Sequence, residues 1–73
     1  MPLIHVQLVD GPTAEQRREF LAAVTDAACT HLGVARQSVR VWLTPIAADD
    51  FMAGGVTAAE RRAEAARSAT GGA

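Results

Sequence analysis

Met1-Pro2-Leu3-Ile4-His5-Val6-Gln7-Leu8-Val9-Asp10 opens the chain, and the fold is decided by how this stretch is read. Aliphatic and β-branched residues run from Leu3 to Val9 and stop at Asp10-Gly11-Pro12. That pattern predicts a β-strand beginning at the N-terminus. Ile4, Val6 and Leu8 share one apolar face, suited to a helix. Leu3, His5, Gln7 and Val9 share the other, a mixed face suited to an interface or a pocket. Pro2 stands just ahead of the strand. With Met1 removed it carries a free secondary amine beside apolar residues. An amine in such surroundings loses part of its preference for being charged, and can act as a base near neutrality.

Thr13-Ala14-Glu15-Gln16 has the form of a capping box, and Gly33 suits a helix C-terminus. Together they predict a helix over Ala14 to Leu32, with Phe20, Leu21, Val24, Ala27, Ala28 and Leu32 as its apolar stripe. A second strand is expected over Ser38 to Thr44, ended by Pro45, with Val39, Val41 and Leu43 on one face and Arg40, Trp42 and Thr44 on the other. Strand, helix and strand with short joins make a βαβ unit with parallel strands and a right-handed crossover. The fold class is therefore α/β (α+β). One helix covers only one face of a two-stranded sheet, so sheet packing between copies must cover the second.

Beyond a link at Ile46 to Asp50, Phe51 to Val56 reads as a short strand or hairpin around Gly54-Gly55. Thr57-Ala58-Ala59-Glu60 repeats the helix-start pattern, predicting a helix to about Arg67. Ser68 to Ala73 is small and glycine-rich, as expected of a fraying end. The domain reading is 1–57 as the β-α-β unit and 58–73 as a helical, flexible tail.

Seventy-three residues with one cysteine allow one small domain and no disulfide framework. Hydrophobic residues make up 49% of the chain, more than a domain of this size hides alone, so oligomerisation is the expected source of stability. A net charge of −1 gives no field favouring nucleic acid or an anionic membrane. No apolar run is long enough to span a bilayer, and no Cys/His spacing suggests a metal. The expectation is a soluble, cytoplasmic, oligomeric domain.

These residues jointly resemble the 4-oxalocrotonate tautomerase family of the tautomerase superfamily. The resemblance rests on Pro2, Leu8-Val9-Asp10-Gly11, Glu15-Gln16, Ser38-Val39-Arg40-Val41, and Phe51 followed by Gly54-Gly55. It runs from Pro2 to Val56 without a gap. It implies a subunit that pairs into dimers and assembles as a hexamer, a trimer of dimers, with no cofactor. It also implies Pro2 as the general base that moves a proton on a small unsaturated keto or enol acid. Arg40, from a neighbouring subunit, would bind the substrate carboxylate and stabilise the enolate. Phe51 would form an apolar wall, and Val9 sits where the family has an aliphatic pocket residue. The sequence departs from the pattern at Pro12, where many members acting on dicarboxylates carry a second arginine. A substrate with one carboxylate, or with one aromatic end, is therefore expected, unless Arg17, Arg18 or Arg36 substitutes.

Read independently of the family, Arg40 is a mid-strand charge among apolar neighbours, away from the helix, and it needs an interface partner or a ligand. Trp42 either lines the pocket or packs in the oligomer, and is carried as a substrate-binding candidate. His5 reads as an interface histidine. His31 reads as structural, on the helix's apolar stripe near its C-terminus. Cys29, on the flank of the helix, is assigned no chemistry. Asp49-Asp50 reads as a solvated turn. Three functions compete: a tautomerase; a hydratase or dehalogenase relative, for which no water-activating carboxylate stands out; and a non-catalytic subunit, including one half of a hetero-hexamer.

Overall fold

The computed structural model describes residues 1–71. Strand β1 (Leu3–Val9) is followed by helix α1 (Ala14–Leu32), a single 3-10 turn at Arg36–Ser38, and strand β2 (Arg40–Ile46). A second 3-10 turn at Ala48–Asp50 leads into the hairpin β3 (Met52–Ala53) and β4 (Val56–Thr57), and then helix α2 (Ala58–Gly71). β1 and β2 are parallel, in a register running from Leu3↔Arg40 to Val9↔Ile46. The expected βαβ unit is therefore present.

α1 begins and ends as its cap residues dictate. The Gln16 N–H donates to Thr13 Oγ1 at 3.1 Å, and the Thr13 N–H donates to Gln16 Oε1 at 2.8 Å. These bonds satisfy donors that a helix start otherwise leaves open. Gly33 closes the helix at φ 65°, in the left-handed region that glycine enters without strain. The β3–β4 hairpin turns through Gly54 and Gly55 at φ 61° and 83°, the positive φ at both positions that a type I′ hairpin turn requires.

Four expectations are corrected. β2 does not stop at Pro45 but runs to Ile46. The Arg40 N–H bonds the Pro2 carbonyl at 3.0 Å, so even-numbered N–H groups of β2 face β1. Pro45 therefore lacks only an outward-facing donor, and the ladder is unbroken. β2 also starts at Arg40, because Ser38 is held in the preceding turn by its N–H and hydroxyl, both donating to the Ala35 carbonyl at 2.9 and 2.8 Å.

The helix stripe is rotated from the expected one. Phe20, Ala27, His31 and Leu32 are exposed, while Arg17, Leu21, Val24, Thr25 and Cys29 are half-buried and Ala28 is buried. Thr25 can sit inward because its hydroxyl donates to the Leu21 carbonyl at 2.9 Å. Finally, α2 continues past Arg67 to Gly71. The expected fraying over Ser68 to Gly71 is thus replaced by helix, and Gly72 and Ala73 lie outside the described residues.

The subunit is poorly closed by itself. Only Ala28 is fully buried among the described residues, at 6% exposure. The radius of gyration is 16.5 Å, against about 11 Å for a compact chain of this length. The exposed area is 5306 Å², about 1,000 Å² more than a compact monomer of this mass would show. Leu3 is 67% exposed and Trp42 45%, both on the sheet face away from α1. No helix among the described residues is long and apolar enough to cross a membrane.

Candidate active site

Pro2 lies half-buried directly ahead of β1. The parallel ladder fixes its place, since its carbonyl accepts the Arg40 N–H. Arg40 is exposed, and its guanidinium meets only backbone: Nη1 donates to the Gln37 carbonyl and, at 3.4 Å, to the Val39 carbonyl. The ion pairs among the described residues are Arg36–Asp26, Arg62–Asp10 and Arg67–Glu64, so Arg40 has no carboxylate partner. Trp42 follows Arg40 on the same face, opposite His5 in the register.

Pro2 and Arg40 are thus adjacent at one end of the sheet, and Trp42 lies two residues further along β2 on Arg40's face. Val9 and Phe51 are not at that end. Val9 closes the other end of β1, paired with Ile46. It lies seven residue steps from Pro2, about 23 Å. Phe51 belongs to that far end as well. Its carbonyl accepts the Ala58 N–H at 2.9 Å, and one helical turn later Arg62 reaches Asp10. Within one subunit the five candidate residues therefore stand in two separate groups.

Two surface grooves lie apart from all five candidate residues. One, of about 320 Å³, is lined by Val6, Leu8, Pro12, Gln16, Arg17 and Phe20. Another, of about 520 Å³, runs along α2 past Val56, Glu60 and Arg61. Neither touches Pro2 or Arg40. Of the arginines considered as substitutes near Pro12, Arg36 is engaged elsewhere. Its hydrogen bond to Asp26, and the nearby carboxylate charge, raise its pKa and tie it to the outer face of α1. Arg17 is half-buried and donates from Nη1 to the Pro12 carbonyl at 2.6 Å, so its guanidinium lies at residue 12 itself.

Arg62 had no expected role. It pairs with the Asp10 carboxylate at 3.3 Å, donates to the Asp10 carbonyl, and closes against Gly11. No local pattern signals a contact across fifty-two positions. The pairing of His5 with Trp42, by contrast, follows once the parallel register is known. Among the described residues, no group of three or more His, Cys, Asp or Glu side chains is placed to hold a metal.

Comparison with known proteins matches this arrangement to one family. The family described as tautomerase enzyme matches residues 2–61. A probable tautomerase of Ralstonia nicotianae is 39% identical over 56 residues, covering 77% of this chain and 80% of its own. A probable tautomerase of Lactiplantibacillus plantarum is 30% identical over 64 residues, covering 88% of this chain and 100% of its own. Among solved structures, a 4-oxalocrotonate tautomerase isozyme of Methylibium petroleiphilum superposes with a TM-score of 0.79 at 36% identity, over 86% of this chain and 98% of that one. A heterohexameric 4-oxalocrotonate tautomerase of Chloroflexus aurantiacus gives a TM-score of 0.77 at 27% identity, over 82% of this chain and 97% of that one. With a β-α-β subunit, a proline heading its first strand and an arginine at the matching point of its second, the chain belongs to the 4-oxalocrotonate tautomerase family of the tautomerase superfamily.

Proposed function

We propose that the protein is a cofactor-independent tautomerase acting on a small unsaturated 2-oxo or 2-hydroxy acid, with the amine of Pro2 as general base. The amine takes a proton from one end of the conjugated system, and the electron pair shifts toward the carbonyl oxygen. The same proton is then returned at the other end, so no external reagent is consumed. Arg40 of a neighbouring copy binds the carboxylate and offsets the negative charge that develops on oxygen. Phe51 and Val9, from the far end of another copy, keep the amine poorly solvated, and Trp42 lines the approach. The observation that carries this reading is Arg40: an exposed guanidinium bonded only to carbonyls, with no carboxylate partner among the described residues, and so free to serve a site on another copy.

In this reading the working form is a hexamer in the cytoplasm, where the lone free thiol of Cys29 persists. Pro12 leaves the site with one carboxylate-binding arginine, favouring a substrate with a single carboxylate. Pro12 also favours a second reading, in which this chain is one half of a mixed hexamer whose other chain supplies the missing guanidinium. The heterohexameric relative from Chloroflexus aurantiacus is a precedent for such mixing. For hydratase or dehalogenase chemistry, no carboxylate beside Pro2 stands out among the described residues to activate water.

The test pairs intact-mass measurement of the native protein with an ultraviolet assay on phenylenolpyruvate and 2-hydroxymuconate. Loss of Met1, and loss of turnover in Pro2→Ala, are expected. A retained Met1 makes the Pro2 nitrogen an amide with no basic lone pair. That result, or equal rates for wild type and Pro2→Ala, refutes the proposal.

A further inference from the structure

The far end of β1, which the proposed reaction draws from another copy, carries charge as well as Val9 and Phe51. Val9 runs into the bend at Asp10, whose N–H donates to the Ile46 carbonyl at 2.8 Å. Phe51 leads through the hairpin to α2, whose first residue, Ala58, bonds back to the Phe51 carbonyl. One helical turn on, Arg62 lies across the bend. Its Nη2 donates to the Asp10 carbonyl, and its Nη1 stands 3.3 Å from Asp10 Oδ1. A Cβ at Gly11 would come to 3.0 Å from the same Nη2. A guanidinium and a carboxylate therefore accompany Val9 and Phe51.

The backbone and the side chain of Asp10 act on Arg62 differently. The carbonyl holds the guanidinium in place whatever side chain residue 10 carries. The carboxylate only neutralises it. At 3.3 Å their contact is longer than the about 2.7–2.9 Å of a charge-assisted hydrogen bond, and both side chains are half exposed. Such a pair adds little to stability. No other cation at this end takes its place. Arg61 donates to the Ala53 carbonyl at 3.2 Å, beside the hairpin. Arg17 lines the groove of Val6 and Leu8, on the helix side of β1, whereas Val9 belongs to the other face. Asp49 and Asp50, exposed just before Phe51, add further negative charge and enter none of the ion pairs among the described residues.

We propose that Asp10 sets the substrate class of this protein by masking Arg62, so that acids with one carboxylate are accepted and dicarboxylates disfavoured. This rests on the reaction proposed above, in which Arg40 takes the first carboxylate and the far end of β1 meets the rest of the substrate. A second carboxylate arriving there meets a cation already neutralised and a carboxylate of its own sign. Discrimination of this kind comes from a repulsive group set against the wrong ligand. With the Asp10 charge gone and its carbonyl kept, Arg62 stays in place and unpaired. The same position then offers a charge-assisted contact, which strengthens dicarboxylate binding about tenfold or more.

The test is kcat/KM for 2-hydroxymuconate relative to phenylenolpyruvate in wild type, Asp10→Asn, Arg62→Gln and the double variant. Asp10→Asn should raise this ratio about tenfold or more, chiefly through KM. Arg62→Gln should lower it, because Asp10 then stands unpaired, and the double variant should lose the gain. A pair that merely braces α2 would affect both substrates alike. An unmoved ratio in Asp10→Asn, or a gain that survives in the double variant, therefore overturns the proposal. If Asp10→Asn fails to fold, Arg62→Gln decides, and an unchanged ratio there overturns it equally. Pro2→Ala, assayed alongside, separates the two levels. A wild type that turns over neither acid, or turnover that persists in Pro2→Ala, refutes the reaction itself. Turnover that needs Pro2, with a ratio indifferent to Asp10, refutes only the role of Asp10.

Discussion

Replacing Arg40 with alanine separates what this residue does for the fold from what it does for chemistry. Its part in the fold runs through the backbone, because the N–H to the Pro2 carbonyl holds the start of β2 against β1. Alanine keeps that N–H. The side chain is exposed and makes no ion pair among the described residues, so the change should alter stability by less than about 0.5 kcal/mol. The effect on catalysis should be far larger. A charge-assisted bond to a carboxylate is worth roughly 1.5–3 kcal/mol, or about 10- to 100-fold. Stabilising an enolate in the transition state as well places the loss at or above the top of that range. The assay is kcat/KM for phenylenolpyruvate followed in the ultraviolet, with thermal unfolding and native mass measured on the same samples. Arg40→Lys should fall between the two proteins, since it keeps a charge but loses the planar fork. An Arg40→Ala protein that is folded, assembled and as active as wild type refutes the reasoning.

Other changes address the frame and the substrate. Thr13→Ala removes the side-chain half of the α1 capping box and should cost about 1 kcal/mol, read as a lower unfolding midpoint in denaturant. Ala28→Leu forces extra methylenes into the one fully buried position among the described residues and should cost about 1–3 kcal/mol in the same measurement. Arg62→Ala breaks a half-exposed pair with Asp10 and should cost less than about 1 kcal/mol, an effect that salt diminishes further. Pro12→Arg adds a guanidinium at the first turn and should raise kcat/KM for 2-hydroxymuconate by about 10- to 100-fold relative to phenylenolpyruvate.

Much of this fold was legible because its signals are local. The alternation from Leu3 to Val9, the paired Thr13 and Gln16, Gly33 and the Gly54-Gly55 turn each act within a few residues. The rotation of the α1 stripe was less accessible. A helix this rich in alanine offers two overlapping apolar arcs, and the choice went to the arc containing Thr25, whose hydroxyl is satisfied within the helix. Pro45 misled because its cost depends on which side its missing N–H faces, and the register that sets the side comes from β1. For the site, the adjacency of Pro2 and Arg40 follows from parallel pairing. The separation of Val9 and Phe51 from them follows from strand length, and it marks what a single chain cannot complete. Arg62 on Asp10 joins the last helix to the bend just after the first strand, and no short pattern encodes it.

The division of the candidate residues between two ends of β1 has a genetic consequence. If Pro2 of one copy works with Arg40 and Phe51 of others, a reaction centre has no single owner. A Pro2→Ala subunit and an Arg40→Ala subunit, each silent alone, should recover turnover when unfolded and reassembled together. Some of the mixed centres then draw both intact residues from different chains. The reverse also holds. A crippled subunit made in excess disables neighbours whose own sequence is sound, so one defective copy of the gene can silence more activity than its share.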